Sequence, residues 1–222
     1  MIVAIAGGHG QVALLLAEEL VRRDHEPVGL VRNADHLPDL VKRGARGVVV
    51  NLEHTTVEAL AAAIAGAVVV VFAAGAGPGS GAARKDTLDR DGAVLLADAA
   101  EQAGVNRYVM VSAIDADRAD EESDEESDDV YQVYLRAKAA ADRDLRGRES
   151  LEWTIVRPGR LSDDEGTGKV DLGPDRSPGS VPRSDVAAVL AELITTGRGV
   201  HQQVDLVAGR VPVAEAVASL GD

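Results

Sequence analysis

Short apolar, β-branched runs recur along the chain at Ile2–Ala6, Pro27–Val31, Gly47–Val50, Val68–Phe72, Tyr108–Val111, Trp153–Val156 and Val204–Val207. Each is continuous rather than alternating, the pattern of a strand covered on both faces. Between them, apolar positions recur at helical spacing near Gln11–Arg23, Ala34–Arg43, Thr56–Ala65, Arg84–Ala103, Val130–Arg146 and Arg183–Thr196, with a shorter stretch near Val213–Leu220. Strands that alternate with helices pair in parallel, and right-handed crossovers place the helices on both faces of the sheet. The expectation is α/β: one domain over residues 1–222, a doubly wound parallel sheet of strand order 3-2-1-4-5-6-7. Two stretches break the pattern. Residues 158–182 are rich in Gly, Asp, Ser and Pro and read as loop or short hairpin, a lid on the substrate side. Residues 115–129 hold ten Asp and Glu side chains and almost nothing apolar, and a run with so little to bury reads as a flexible, solvated loop.

The first strand empties into Gly7-Gly8-His9-Gly10-Gln11-Val12-Ala13 and then into a helix. Gly8-x-Gly10-x-x-Ala13 at a strand-to-helix turn has the spacing of a dinucleotide-binding Rossmann fingerprint. Small residues there permit a tight turn, close approach of backbone N–H groups to a pyrophosphate, and close packing of helix on strand. The helix N-terminus adds unpaired N–H groups and a favourable dipole for the phosphates.

Ligands of such sheets bind beyond the carboxyl ends of the strands. That rule nominates Gly7, Gly8, His9, Gly10, Gln11, Val12, Arg32, Asn33, Asn51, Leu52, Ala73, Ala74, Gly75, Ser112, Arg157, Pro158 and Gly159 as cofactor-binding. The second strand ends in Arg32-Asn33, where an acidic residue would meet a free ribose 2′-hydroxyl. An arginine there pairs with a 2′-phosphate, which favours NADP over NAD, although Asp35 lies nearby.

Charge and composition narrow the function further. The chain has 37 acidic against 23 basic residues, a formal charge of −14, which argues against nucleic-acid and anionic-membrane surfaces. It has no cysteine, so disulfides and thiolate metal sites are excluded. The acidic run lacks the glycine of an EF-hand, and no metal is expected. Its longest apolar run, Ala67 to Ala74, is too short to span a bilayer. A cytoplasmic protein acting on a small molecule fits these features. Whether it forms a homodimer, or meets a protein partner, is open at this stage.

A second constellation is Tyr134-Leu135-Arg136-Ala137-Lys138 within a helical pattern. Four residues bring both side chains to one face. A lysine ammonium beside a tyrosine favours phenolate and lowers its pKa. Tyr134 could then exchange a proton with a carbonyl during hydride transfer, with Lys138 also holding the nicotinamide ribose.

Together, Gly7-x-x-Gly10-x-x-Ala13, Tyr134-x-x-x-Lys138 and Thr154-Ile155-Val156-Arg157-Pro158-Gly159 resemble the short-chain dehydrogenase/reductase superfamily over nearly the whole chain. The likeness is to its atypical, compact NAD(P)-binding branch, which is epimerase-like, NmrA-like and biliverdin-reductase-B-like. The resemblance implies Tyr134 as acid/base, Lys138 as its activator and ribose anchor, and Arg157–Gly159 as backbone against the nicotinamide. It also places Asp89 where related enzymes hold a catalytic asparagine, and matches Ser112 to the first of two serines after the fifth strand. Ala113 stands where the second, substrate-orienting serine is expected. The implied activity is hydride transfer between NADP(H) and a small carbonyl or sugar-like substrate, by an oxidoreductase or an epimerase. Ala113 and Asp89 keep two other classes in view: a non-catalytic NADP(H) sensor that signals to a protein partner, and a flavin or quinone reductase.

Overall fold

The computed structural model describes residues 1–75, 77, 84–117 and 130–221. Most of the acidic run, residues 118–129, lies outside the described residues. In chain order the elements are β1 (Ile2–Ala6), α1 (Gln11–Arg22), β2 (Glu26–Val31), α2 (Leu37–Lys42), β3 (Arg46–Val49), α3 (Val57–Ala63), β4 (Val69–Phe72), α4 (Asp91–Ala103), β5 (Arg107–Val111) and α5 (Val130–Arg146). They continue with β6 (Glu152–Pro158), β7 (Arg160–Ser162), β8 (Lys169–Gly173), β9 (Ser180–Pro182), α6 (Arg183–Thr196), β10 (Gln202–Ala208), β11 (Val211–Pro212) and α7 (Val213–Ala218).

The central sheet runs β3-β2-β1-β4-β5-β6-β10-β8-β11. Its first seven members are parallel, so the expected 3-2-1-4-5-6-7 order is present with β10 as the seventh strand. Two antiparallel strands extend it: β8 pairs with β10, and β11 with β8. These additions come from segments too short and polar to read as strands. The stretch 158–182 is therefore not a plain loop. It supplies β8 to the sheet, while β7 and β9 pair in parallel as a separate two-stranded sheet.

The apolar strands split by residue parity, as a period of two requires. Val3, Ile5, Val69 and Val71 pack with α1, α6 and α7 in one layer. Ala4, Ala6, Val70 and Phe72 pack with α3, α4 and α5 in the other. Only 2% of the residues are aromatic. Leu, Val, Ile and Ala therefore build the core.

Three local details shape the elements around the sheet. The helix foreseen from Arg84 opens as a wide π-type turn over Lys85–Arg90 before α4 begins. The helix foreseen over Ala34–Arg43 splits into a 3₁₀ turn and α2. Finally, α6 starts at Pro182 without a side-chain cap. Asp185 instead accepts the backbone N–H groups of Thr167 (3.0 Å) and Gly168 (2.9 Å), tying the stretch before β8 to the first turn of α6.

Leu16 is fully buried in the layer of α1, whereas Val41 is 68% exposed. Leu16→Ala is expected to lower unfolding free energy by about 2–5 kcal/mol. Val41→Ala should change it by less than about 0.5 kcal/mol. Urea unfolding curves of the two variants check this reading of the core.

Candidate active site

The turn between β1 and α1 is built by close backbone contacts. Gly7 adopts φ +79°, and a Cβ there would meet Ala74 Cα at 2.5 Å. A Cβ on Gly8 would meet Gly29 Cα at 2.5 Å, so this glycine lets the turn lie against β2. Two backbone bonds fix it: Gly8 N–H to Leu30 O (3.0 Å) and Gly10 N–H to Gly7 O (2.8 Å). Gly10 is the N-cap of α1 and supplies no side-chain cap. The helix thus begins with N–H groups available to an anion, which fits a pyrophosphate.

A cavity of about 260 Å³ opens at the ends of β1 to β4. It brings together Gly7, His9, Gly10, Arg32, Asn51, Leu52, Ala73, Ala74 and Gly75 among the expected residues. Gly8 is buried against β2, and Val12 belongs to the core. Gln11 faces a different cavity with Leu14 and Arg183. Two amides are occupied by their own turns: Asn33 Oδ1 accepts Asp35 N–H (3.0 Å), and Asn51 Oδ1 accepts Glu53 N–H (3.1 Å). His9 stacks on His36, with ring centroids 3.7 Å apart, and bonds Asp39 at 3.0 Å.

A second cavity, of about 430 Å³, is lined by Ala113, Ile114, Tyr131, Tyr134, Pro158, Gly159 and Arg160. Tyr134 reaches it from α5, with the Tyr131 ring 6.1 Å away. The backbone at Pro158–Gly159 is already bonded within the protein. Pro158 O accepts Ile114 N–H (3.1 Å), and Gly159 N–H donates to Leu206 O (2.9 Å).

Lys138 lies one turn after Tyr134, as its spacing requires, but its environment differs from the expectation. Its ammonium is 3% exposed, donates to Val111 O (3.1 Å), and lies 3.5 Å from Asp89 Oδ1, which is fully buried. It is 5.9 Å from the Tyr134 ring centroid and 5.2 Å from that of Phe72. Burial, and then the Asp89 carboxylate, push the Tyr134 phenol above its ordinary range. The lysine was expected to lower it. Burial accounts for most of the reversal, and Asp89, arriving from the turn before α4, adds to it with a charge opposite to that of the lysine.

Ser112 faces the interior. Its hydroxyl donates to Asp142 Oδ2 at 2.8 Å, and the same oxygen accepts Arg157 Nε (2.8 Å) and Nη2 (2.7 Å). Arg157 also grips Asp117 with two bonds of 2.6 and 2.7 Å. Ser112 and the Arg157 side chain therefore serve a buried network joining β5, β6 and α5.

Residues 7–197 match the family model described as NAD(P)H-binding. The chain belongs to this NAD(P)H-binding family. Among relatives of this NAD(P)H-binding chain, it is 33% identical to the "Uncharacterized sugar epimerase YhfK" of Bacillus subtilis, covering 99% of this chain and 100% of that one. A solved structure from Bacillus halodurans, whose name proposes an NAD-dependent epimerase/dehydratase, is 39% identical with a TM-score of 0.90 over 99% of this chain and 100% of that one. The oxidoreductase ylbE of Lactococcus lactis is 27% identical with a TM-score of 0.85, covering 99% and 96%.

Several residues at the two cavities were not foreseen: Glu53, Arg84 and His36 in the first, Tyr131 in the second, and Asp142 behind Ser112. Asp142 had a signal, since Tyr134, Lys138 and Asp142 repeat at four-residue spacing on α5. Glu53 and Arg84 had none, because their pairing spans 31 positions.

Gly8→Ala should weaken NADPH binding at least about tenfold and cost about 1–3 kcal/mol, because the new methyl must push backbone from backbone. Fluorescence titration and thermal unfolding read the two effects. Asp142→Ala, which leaves Arg157 to Asp117 alone and takes the acceptor from the Ser112 hydroxyl, should cost about 1–3 kcal/mol. A loss under about 1 kcal/mol on chemical unfolding would show that the network carries little of the fold.

Proposed function

We propose that the chain is an NADP-dependent reductase in which Tyr134 gives a proton to a small carbonyl substrate, sugar-like in kind. The observation that carries this reading is the buried Lys138–Asp89 pair beside Tyr134, on the wall of the second cavity. The pair leaves no net cationic charge to draw the phenol toward phenolate, and burial opposes ionisation as well. Tyr134 is thereby kept as a proton donor. A route to epimerisation that begins with oxidation needs the phenolate first, so the arrangement supports reduction over that route.

The nicotinamide, when bound, supplies the hydride. Gly7, Gly10 and the α1 N-terminus hold the pyrophosphate. Arg32 answers the 2′-phosphate, since a guanidinium offers the planar fork that such a group accepts. Lys138 is itself held by its bond to Val111 O and its pairing with Asp89, 5.9 Å from the Tyr134 ring centroid.

One feature favours a second reading. Ala113 has no hydroxyl and that of Ser112 is committed to Asp142, so no serine assists Tyr134 from this strand end. A flavin or quinone, which takes hydride without tyrosine, needs no such help.

NADPH oxidation against carbonyl, quinone and flavin acceptors separates the readings. Tyr134→Phe should lower kcat for carbonyl reduction by about 10²–10⁴. Undiminished turnover in that variant assigns flavin or quinone reduction. Tight NADPH binding with no turnover on any acceptor assigns a sensor. The pH dependence has a definite sign. A raised phenol pKa keeps the proton on from neutral pH through the ordinary tyrosine value of about 10, so kcat for reduction should hold across that range. A fall between about pH 7 and 9 that Tyr134→Phe abolishes would show the phenol ionising in that range and would overturn the raised pKa on which this reading rests.

A further inference from the structure

The first cavity contains an ion cluster that the sequence did not foretell. Glu53, just beyond β3, has a carboxylate that is 16% exposed. Arg84 grips it with Nε at 3.2 and 3.3 Å and Nη2 at 2.8 Å, and Thr87 Oγ1 donates to it at 3.1 Å. Arg32 Nη1, from the end of β2, lies 4.0 Å from the same carboxylate. Two guanidinium groups from separate elements thus converge on one anion, and all three residues line the cavity. The arginine bonds hold Glu53 below the usual carboxylate range, so it is charged at neutral pH. Of the other acids nearby, Asp39 is engaged by Lys42 at 2.8 Å and His9 at 3.0 Å, and Asp89, paired with Lys138, adds its charge to the field at Arg84.

A bond serving only to staple the turn before α4 to the end of β3 would need one arginine and no cavity. Here the carboxylate points into the space where the adenosine half of the cofactor is read to lie. It does part of what a phosphate would do there, holding Arg84 by direct bonds with the Arg32 guanidinium 4.0 Å away. We propose that Glu53 sets the preference between phosphorylated and unphosphorylated ribose 2′ positions, competing as an internal carboxylate with a 2′-phosphate for Arg32 and Arg84. The inference rests on the reading of this cavity as the adenosine site. Its chemistry is discrimination by a repulsive element: the carboxylate penalises a dianion beside it and leaves a neutral hydroxyl untouched.

The test measures binding of 2′,5′-ADP and 5′-AMP by calorimetry, which involves no hydride chemistry. Glu53→Gln keeps the shape and an acceptor oxygen for Arg84 while removing the charge. It should tighten 2′,5′-ADP about tenfold and leave 5′-AMP within about twofold. Arg84→Gln, which leaves Glu53 less compensated, should weaken 2′,5′-ADP about tenfold with 5′-AMP again unmoved. This second variant carries the test alone if the first does not fold. Equal changes for both ligands overturn the proposal, and so does a selective loss of 5′-AMP in Glu53→Gln, which would make the carboxylate a ribose ligand. A wild-type protein that binds the two ligands equally counts against the NADP reading alone, because Glu53 is judged by the change in ratio. Failure of both ligands to bind any variant overturns the adenosine site and the proposal with it.

Discussion

Charge pairing inside α5 is the constraint on which this molecule turns. Lys138 and Asp142, one turn apart, are 3% and 0% exposed, and each is matched by a buried partner from elsewhere: Asp89 from the turn before α4, and Arg157 from β6. Ions taken this far out of water are tolerated only with close partners. The two pairs therefore fix how α5 sits on the sheet, and with it where Tyr134 meets the second cavity. The same pairs set the chemistry, since a compensated lysine cannot act on its tyrosine as a lone ammonium would.

The periodic part of the fold was legible in the sequence. Seven apolar runs gave the seven parallel strands and their order, because burial on both faces leaves a continuous signature. The glycine turn was legible too, as tight backbone approach admits few residues. What escaped was short or distant. Strands β7, β8, β9 and β11 have two to five residues each and lie among Gly, Pro and Asp. Their pairing is decided by β10 and by each other rather than by local preference.

The candidate site divides in the same way. Spacing on one helix placed Tyr134 and Lys138 on a common face, and the structure has them so. Spacing could not say that Asp89 would reach Lys138 across 49 positions, or that Ser112 would turn inward to Asp142. The sign of the tyrosine's shift followed first from its burial and then from the Asp89 carboxylate, neither of which spacing on one helix reveals. Arg32 was visible as the first residue beyond a strand, whereas Glu53 and Arg84 became meaningful only once three elements had been folded together.

The wall formed by Pro158–Ser162 has a consequence for how any ligand of the second cavity is met. Its backbone is hydrogen-bonded to Ile114, Leu206 and Gly179, and β7 is paired with β9. The conformational entropy of this wall is surrendered when the chain folds, not when a ligand arrives. On this side the cavity is preorganised, so a change of ligand would act first through the side chains of Ile114, Tyr131 and Arg160 rather than through movement of their backbone.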